Sequence, residues 1–227
     1  MGKKIFFITG TDTDAGKTFV TRGLLRAANQ RGLKTQALKP VSAGCQRVDG
    51  ALRNDDALDL MAVMNTELSY EQMNPVAAAL PASPHIALVR EEKRITMERL
   101  AGFCRGALMK PADFVLVEGA GGWRVPLNDR EMMSELPKIL NIPVILVVGV
   151  RLGCLNHARL TAEAIINDGV KLAGWVANCL NPEMIAYDEN IQTLHSLIPA
   201  PCLGEVPFLA DGLPEQIASY FDLSTVL

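Results

Sequence analysis

A glycine–lysine–threonine triplet near the start of the chain could bind the phosphates of a nucleotide. An apolar run, 5–9, leads into Gly10, a polar loop follows, and Gly16-Lys17-Thr18 opens a helical pattern. In this order, loop amides and a helix N-terminus present partial positive charge to phosphate oxygens. Lys17 adds a full charge for the β- and γ-phosphates, and the Thr18 hydroxyl can ligate Mg²⁺. Five residues separate the two glycines, one more than in the standard motif, so the sequence predicts a variant phosphate-binding loop.

Further polar residues stand directly after other predicted strands. In open α/β sheets, ligands bind beyond the carboxyl ends of the strands. The residues at these places are Lys39, Glu118 with Gly119, Gly121 and Gly122, the turn Leu152-Gly153-Cys154, and Asn178. Glu118 ends the run Val-Leu-Val-Glu, where an acid can hold Mg²⁺ directly or through water. A capping or salt-bridge carboxylate is the alternative for this residue.

Other candidates also have a structural alternative. Asp56 could be a metal ligand or an ordinary acid at a helix N-terminus. Lys39 could be a catalytic cation or a solvated lysine. Asn178 could bind an adenine edge, because an amide both donates and accepts hydrogen bonds, or it could be a turn residue. The three histidines share no metal-like spacing, and we expect them at helix ends or on the surface.

These residues can meet only if a sheet aligns the ends of the strands. The pattern predicts strands at 5–9, 35–38, 114–117, 143–148 and 172–177. It predicts helices at 17–31, from Asp55 onward, at 85–92, 96–109, 130–140, 157–168, near 183–197 and after Pro214. Residues 41–54 and 65–85 are predicted to be loops. Strands that alternate with helices favour an α/β, P-loop NTPase-like fold, with a mostly parallel central sheet and helices on both faces. We expect residues 1–227 to form a single domain.

Composition and charge limit the partners. The chain is 49% hydrophobic and 21% charged, and its net charge of -3 comes without a long basic block, which argues against nucleic acid. The five cysteines form no Cys-x-x-Cys pair, which favours reduced thiols and argues against a structural zinc site. The apolar run after Lys3-Lys4 is too short for a signal peptide, and the run 142–150 is too short for a bilayer. We therefore expect a cytoplasmic protein with no membrane partner.

The chain resembles the dethiobiotin synthetase family in motifs that run from about Ile5 to Glu205. These motifs are Gly-Thr-Asp-Thr-x-x-Gly-Lys-Thr (10–18), Lys-Pro-Val (39–41), Arg-Asn-Asp-Asp (53–56), Val-Glu-Gly-Ala-Gly-Gly-Trp (117–123), Leu-Gly-Cys-Leu-Asn-His (152–157) and Gly-Trp-Val-Ala-Asn (174–178). The resemblance implies a homodimeric P-loop enzyme. Such an enzyme closes the ureido ring of dethiobiotin from 7,8-diaminononanoate, CO₂ and ATP, with Mg²⁺.

The resemblance also implies roles for individual residues. Lys17 and Lys39 would be catalytic, and Thr18, Asp56 and Glu118 would hold Mg²⁺. The nucleotide would contact Asp14, Ala15, Gly16, Lys17, Thr18, Phe19, Asp56, Glu118, Gly119, Gly121, Asn178, Pro207, Phe208, Leu209 and Glu215. The substrate would contact Thr13, Ser42, Gly121, Gly122, Leu152, Gly153, Cys154 and Asn156. By the same resemblance, the turn 152–156 reaches the active site of the other subunit.

Two positions depart from the family pattern. Asp14 stands where a Glu is common. After Lys-Pro-Val the family often has a hydroxyl residue directly before the glycine, whereas this chain has Ser42-Ala43-Gly44. Whether Ser42 supplies the substrate contact expected of that hydroxyl is open.

Three other functions compete with this interpretation. A partitioning or division-site ATPase would carry an extra lysine early in the loop, and residues 10–15 contain none. A cobyrinic-acid-type amidotransferase would need an added glutaminase domain. A nucleotide-dependent switch that binds a protein partner would hydrolyse ATP without any diamine.

Overall fold

A parallel sheet runs through the middle of the molecule. The structure, a computed structural model, describes residues 2–209 and 213–227. The strands in these residues are β1 (Lys4–Gly10), β2 (Thr35–Leu38), β3 (Val41–Ser42), β4 (Gln46–Val48), β5 (Ala51–Arg53), β6 (Val76–Ala77), β7 (Phe114–Gly122), β8 (Val144–Val150), β9 (Leu172–Cys179) and β10 (Cys202–Val206). The helices are α1 (Lys17–Gln30), α2 (Asp55–Val63), α3 (Tyr70–Met73), α4 (Pro84–Arg90), α5 (Met97–Leu108), α6 (Glu135–Leu140), α7 (Cys154–Asn167), α8 (Tyr187–Leu197) and α9 (Pro214–Ala218).

The central sheet places the phosphate-loop strand between two buried neighbours. Within the described residues its order is β10-β9-β8-β1-β7-β2, and every neighbouring pair is parallel. All seven residues of β8 are buried, as expected for a strand that is covered on both faces. One core layer packs α5, α7 and α8 against the sheet, and the other packs α1, α2 and α9. The predicted P-loop-type α/β fold is confirmed.

The two predicted loops contain short strands. Residues 41–54 include β3 and the antiparallel hairpin β4–β5. Asp49 and Gly50 connect the hairpin with φ of 50° and 82°, as a two-residue turn of this kind requires. The Asp-Gly pair was thus a local signal for the hairpin. The segment 65–85 includes α3 and also β6, which pairs with β3.

Three predicted helices begin at other residues. The helix expected at 157–168 begins at Cys154, and Gly153 is its N-cap with a φ of 94°. The helix expected at 130–140 begins at Glu135, because the preceding segment is held by a bridge between Pro126 and Met132. The helix expected near 183–197 begins at Tyr187. Across the described ranges, every helix falls short of the length and hydropathy that a membrane span needs.

We expect Gly23→Ala to destabilise the fold, because α1 and α9 approach each other at this glycine. A Cβ there would lie 2.4 Å from Phe221 Cε2 and 2.5 Å from Ile217 Cγ2. The expected loss is about 1–3 kcal/mol of unfolding free energy. The control is Gly102→Ala on the exposed face of α5, where a Cβ would meet nothing within 4 Å and should add about 0.5–1 kcal/mol. Urea unfolding of both variants measures the difference, and equal stabilities would contradict the packing argument.

Candidate functional site

The phosphate-binding loop, residues 10–16, connects β1 to α1 at the carboxyl end of the central sheet. The Lys17 ammonium donates to the Asp12 carbonyl oxygen at 3.2 Å, so the side chain folds back along the loop. Asp14 has a φ of 53°, which is in the left-handed region where Asp is enriched among non-glycine residues. This conformation gives the departure at Asp14 a physical reason.

Asn178, near the end of β9, holds the phosphate-binding loop by a hydrogen bond to its backbone. Its Nδ2 donates to the Ala15 carbonyl oxygen at 3.0 Å. Gly16 has a φ of 85°, and a Cβ there would lie 2.1 Å from Asn178 Nδ2. The glycine is therefore required both by its backbone conformation and by this close approach. In the structure, the Asn178 amide contacts the loop, and its predicted contact with adenine stays a prediction.

Glu118 is the centre of a buried charge cluster. Its side chain is fully buried, and its Oε1 accepts from Lys39 Nζ at 2.6 Å and from the Thr18 hydroxyl at 2.7 Å. Lys39 Nζ also donates to Asp56 Oδ2 at 2.9 Å. The end of β2, the middle of β7 and the beginnings of α1 and α2 thus converge on one ammonium and two carboxylates; β7 continues past the predicted strand end at residue 117 to Gly122. The solvated-lysine alternative for Lys39 is wrong.

The contacts in this cluster keep Lys39 charged. Burial alone would lower the pKa of Lys39, but the carboxylates of Glu118 and Asp56 outweigh burial and raise it above the ordinary value. For Asp56, burial would raise the pKa, but the contact with Lys39, helped by Thr18, lowers it. Lys39 is therefore a cationic donor at neutral pH and cannot act as a base there.

Lys17 is in a different electrostatic position. Burial, reinforced by the nearby charge of Lys39, lowers the pKa of Lys17 to about 8, although Glu118, Asp56 and Asp14 partly offset the effect. The structure brings no carboxylate into hydrogen-bond contact with this ammonium among the described residues. An anion that enters the loop would supply the missing counter-charge and raise the pKa of Lys17.

A buried hydrogen-bond network, which the sequence did not indicate, holds the backbone around Lys39. Asn74 Nδ2 donates to the Lys39 carbonyl oxygen at 2.5 Å, and Asn74 Oδ1 accepts from the hydroxyls of Ser42 and Tyr70. The Tyr70 hydroxyl in turn accepts from the backbone N–H of Asn54, the N-cap of α2. Asn74 therefore links the connection between β2 and β3, which carries the lysine, to the helix that carries Asp56. The Ser42 hydroxyl is engaged in this network.

A cavity of about 590 Å³ opens beside the cluster. Many predicted residues line it: Thr13, Asp14, Gly16, Lys17, Thr18, Lys39, Ser42, Asp56 and Gly121 form what we call the polar wall, and Phe19 lies in the lining as well. The apolar part of the lining, here called the apolar wall, was not predicted from the sequence; it comprises Val41, Ala43, Pro81, Ala82, Pro84 and Val125. The lining therefore offers both cationic groups for an anion and apolar surface for a hydrocarbon chain.

The glycines after Glu118 serve different purposes. A Cβ on Gly119 would lie 2.7 Å from the Phe7 ring, so this glycine permits packing against β1. Gly121 has a φ of 61°, and a Cβ there would lie 3.5 Å from Thr13 Oγ1. A Cβ on Gly122 would point toward the backbone of the phosphate loop. Gly121 is thus the one of the three that lines the cavity.

The other predicted contacts lie outside the lining of this cavity. Leu152 is 95% exposed, whereas Cys154 is buried in the core. The start of α7 is joined to the phosphate loop by Arg151 Nη2, which donates to Asp12 Oδ2 at 2.6 Å. The segment 207–209 follows β10 and is partly exposed, and Glu215 on α9 forms an ion pair with Arg26 on α1.

Comparison with known proteins identifies close relatives. A family model described as an AAA domain matches residues 4–216. A protein of Cellvibrio japonicus named ATP-dependent dethiobiotin synthetase BioD is 56% identical over 227 residues, which are 100% of this chain and 99% of the relative. Proteins of the same name from Pseudomonas aeruginosa and Marinobacter nauticus are 51% and 44% identical, over 96% and 100% of this chain and 96% and 99% of their own lengths.

Solved structures of other proteins resemble this chain in fold but not closely in sequence. The septum site-determining protein MinD from Pyrococcus horikoshii, complexed with Mg-ADP, has a TM-score of 0.59 at 18% identity and covers 96% of this chain and 86% of its own. The MinC:MinD complex of Aquifex aeolicus gives 0.56 at 13% identity, with 95% and 85% covered.

We expect nucleotide binding to weaken as the pH rises through the pKa of Lys17, about 8. The protonated lysine pairs with phosphate, so each pH unit above this value should weaken ATP binding by up to ~tenfold, with proton uptake on binding. Titration calorimetry in buffers of different ionisation enthalpy measures both quantities. The control, Lys17→Met, should bind weakly at every pH and take up no proton. A wild-type Kd that stays constant across this range would refute the role of Lys17.

Proposed function

The chain belongs to the ATP-dependent dethiobiotin synthetase family, and from this membership we propose how its residues carry out the reaction. The enzyme is an ATP-dependent cyclo-ligase that forms dethiobiotin. In the proposed reaction, 7,8-diaminononanoate takes up CO₂ as a carbamate, and a carbamate oxygen attacks the γ-phosphate of ATP to give a carbamic-phosphoric anhydride and ADP. The second amine then attacks the anhydride carbonyl, closes the ureido ring and expels phosphate.

The observation that carries this proposal is the pair of buried lysines at the polar wall of the cavity. Each step develops or transfers negative charge on oxygen, so positioning and charge neutralisation are the main demands on the protein. Lys17, within the phosphate loop, is placed to pair with the β- and γ-phosphates. Lys39, kept protonated by its carboxylates, can donate to the carbamate and the transferring phosphoryl group. The loop amides at 14–18 would cradle the phosphates.

The donor set of the cluster fits Mg²⁺. Glu118 Oε2 is buried and has no hydrogen-bond partner among the described residues, which leaves a hard anionic oxygen available for a cation. Thr18 and Asp56 supply two further hard oxygen donors beside it. When bound, Mg²⁺ would neutralise charge on the phosphate oxygens. We therefore assign Thr18, Asp56 and Glu118 as its protein ligands.

The apolar wall suits the alkyl chain of the diamine. The chain ends in a carboxylate that lies far from the reacting amines and needs a separate anion site. Residues 152–156 would supply it from the partner subunit of a homodimer, because Gly153 caps α7, whose first-turn amides favour an anion. Thr13, Gly121, Gly122 and Ser42 would then contact the reacting end.

The adenine would lie outside the apolar wall of the cavity. We assign it to Asn178, residues 207–209 and Glu215, with Phe19 beside the sugar and phosphates. The segment 207–209 begins directly after β10, at the same edge of the sheet as the phosphate loop. The five cysteines are free thiols, which supports a reducing cytoplasm as the place of the reaction.

Phosphate release with ATP, bicarbonate and 7,8-diaminononanoate, each omitted in turn, tests the function. Full release should need all three compounds, and mass spectrometry should find dethiobiotin in the complete mixture. Equal phosphate release without the diamine would overturn the proposal and favour a nucleotide-dependent switch instead.

We expect Glu118→Gln and Asp56→Asn to impair Mg²⁺-dependent turnover, because each removes an anionic ligand. The loss for Glu118→Gln should be on the order of 100-fold in kcat, as for other single electrostatic groups in active sites. Asp55→Asn is the matched control, since Asp55 neighbours Asp56 in the same helical turn but is exposed.

The measurement is a Mg²⁺ titration of steady-state rates, with circular dichroism to verify folding. If either variant gave the wild-type titration curve, its residue would not belong to the metal site.

We expect Asn156→Asp to raise the diamine KM by about 3- to 10-fold, because a new carboxylate in the first turn of α7 repels the substrate anion. ATP binding should stay unchanged. Asn167→Asp, exposed at the other end of α7, is the control and should leave both constants unaltered. Sedimentation should find a dimer. A fully active monomer, or an equal effect of the two variants, would exclude a shared site at 152–156.

A further inference from the structure

A group of side chains of the types that ligate metals lies on the outer edge of the sheet, outside the lining of the cavity. His195 is in the last turn of α8, and Cys202 and Glu205 are in β10. Their nitrogen, sulfur and oxygen atoms all lie within 4.8 Å of one another. His195 Nε2 and Glu205 Oε1 are 2.8 Å apart. In the part of the chain that the structure describes, this is the one such group of three.

A β-bulge creates this arrangement. Cys202 lies opposite Trp175 and Gly204 lies opposite the next residue, Val176, so β10 carries one residue more than β9 at this point. Leu203 packs into the core layer of α1 and α9, whereas Cys202 packs against the layer that contains α8. Residues three apart in a regular strand would point to opposite faces. Because of the bulge, Cys202 and Glu205 instead meet His195 on one face.

A glycine at the bulge allows close approach of the following chain. A Cβ on Gly204 would lie 2.5 Å from the Tyr220 carbonyl oxygen and 2.8 Å from the Phe221 ring. A larger residue at this position would push the strand away from the following chain. Gly204 therefore keeps residues 220–221 packed against the bulged strand.

We propose that His195, Cys202 and Glu205 bind one divalent transition-metal ion of the Zn²⁺ type, with water as the remaining ligand. A thiolate, an imidazole and a carboxylate are the ligands that Zn²⁺ takes in proteins, whereas Mg²⁺ prefers oxygen alone. On binding, the Cys202 S–H bond breaks, a metal–sulfur bond forms, and the proton passes to solvent. The neutral imidazole donates a nitrogen lone pair. The two anionic ligands balance the charge of the ion.

The surroundings permit entry and hold the ligands in place. The side chains of His195 and Glu205 are each 46% exposed, so an ion and its water can reach them. The Trp175 ring meets the His195 ring edge-on at 5.1 Å between centroids, which limits rotation of the imidazole. The site is independent of the proposed function, because none of its residues lines the cavity.

Cobalt(II) absorption tests the proposal on the full-length protein. With Mg²⁺ in excess to fill the all-oxygen site, one equivalent of Co²⁺ should give a thiolate-to-cobalt charge-transfer band in the near ultraviolet, and Zn²⁺ should abolish it. Cys202→Ser should lose the band. His195→Gln and Glu205→Gln should each weaken Co²⁺ binding at least about tenfold. Removing even a group that only supports a ligand typically weakens metal binding by this factor. His157→Gln, which alters an exposed histidine on α7, should bind like wild type.

Thermal unfolding gives a second measurement. Zn²⁺ should raise the Tm of wild type, because it binds the folded state, and should not raise the Tm of Cys202→Ser. Equal Tm values without metal would establish that the serine variant is folded. The proposal fails if wild type gives no band, if the band survives Cys202→Ser, or if the three ligand variants bind like wild type. Any of these outcomes would leave His195 and Glu205 as a simple hydrogen-bonded pair.

Discussion

A carboxylate kept out of water within a central strand is the constraint on which the site depends. Glu118 is fully buried, and removing an ion from water costs several kcal/mol unless partners compensate. Lys39 and Thr18 compensate on one oxygen, but Lys39 is itself buried and needs Asp56. Asp56 is positioned by a helix whose N-cap is bonded to Tyr70. Satisfying one charge therefore fixes the relative positions of β2, β7, α1 and α2.

The sequence was most informative where a signal was local or repeated. The apolar strands and long amphipathic helices were found because their periods extend over many residues. The rule that ligands gather at the carboxyl ends of strands groups Lys17, Lys39 and Glu118 from their places in the sequence alone. The start of α7 was misjudged, because its first turn reads Cys-Leu-Asn and lacks a polar N-cap signal before it; Gly153 provides the cap through its backbone.

Other features had no local signal. The strands β3 and β6 have two residues each, too few for a period. Asn74 connects Lys39 with Tyr70 through a network whose members are up to 35 residues apart, and nothing in its neighbourhood distinguishes it from a loop asparagine. The spacing of the histidines likewise gave no indication that a bulge in β10 would bring His195 beside Cys202. In each case the information lies in the tertiary pairing of distant segments.

The same bulge has a consequence for the behaviour of the folded protein among other copies. β10 is an edge strand, and an edge with free amides and carbonyls is a template for intermolecular pairing and aggregation. Here the chain after α9 returns to that edge: Asp222 N donates to the Leu203 carbonyl oxygen at 2.8 Å, and Phe221 forms an antiparallel bridge with Gly204. The bulge in β10 and its pairing with residues 221–222 leave little regular edge with which a strand of another molecule could pair. Residues 221–222 thereby reduce the tendency of this edge to pair with strands of other molecules.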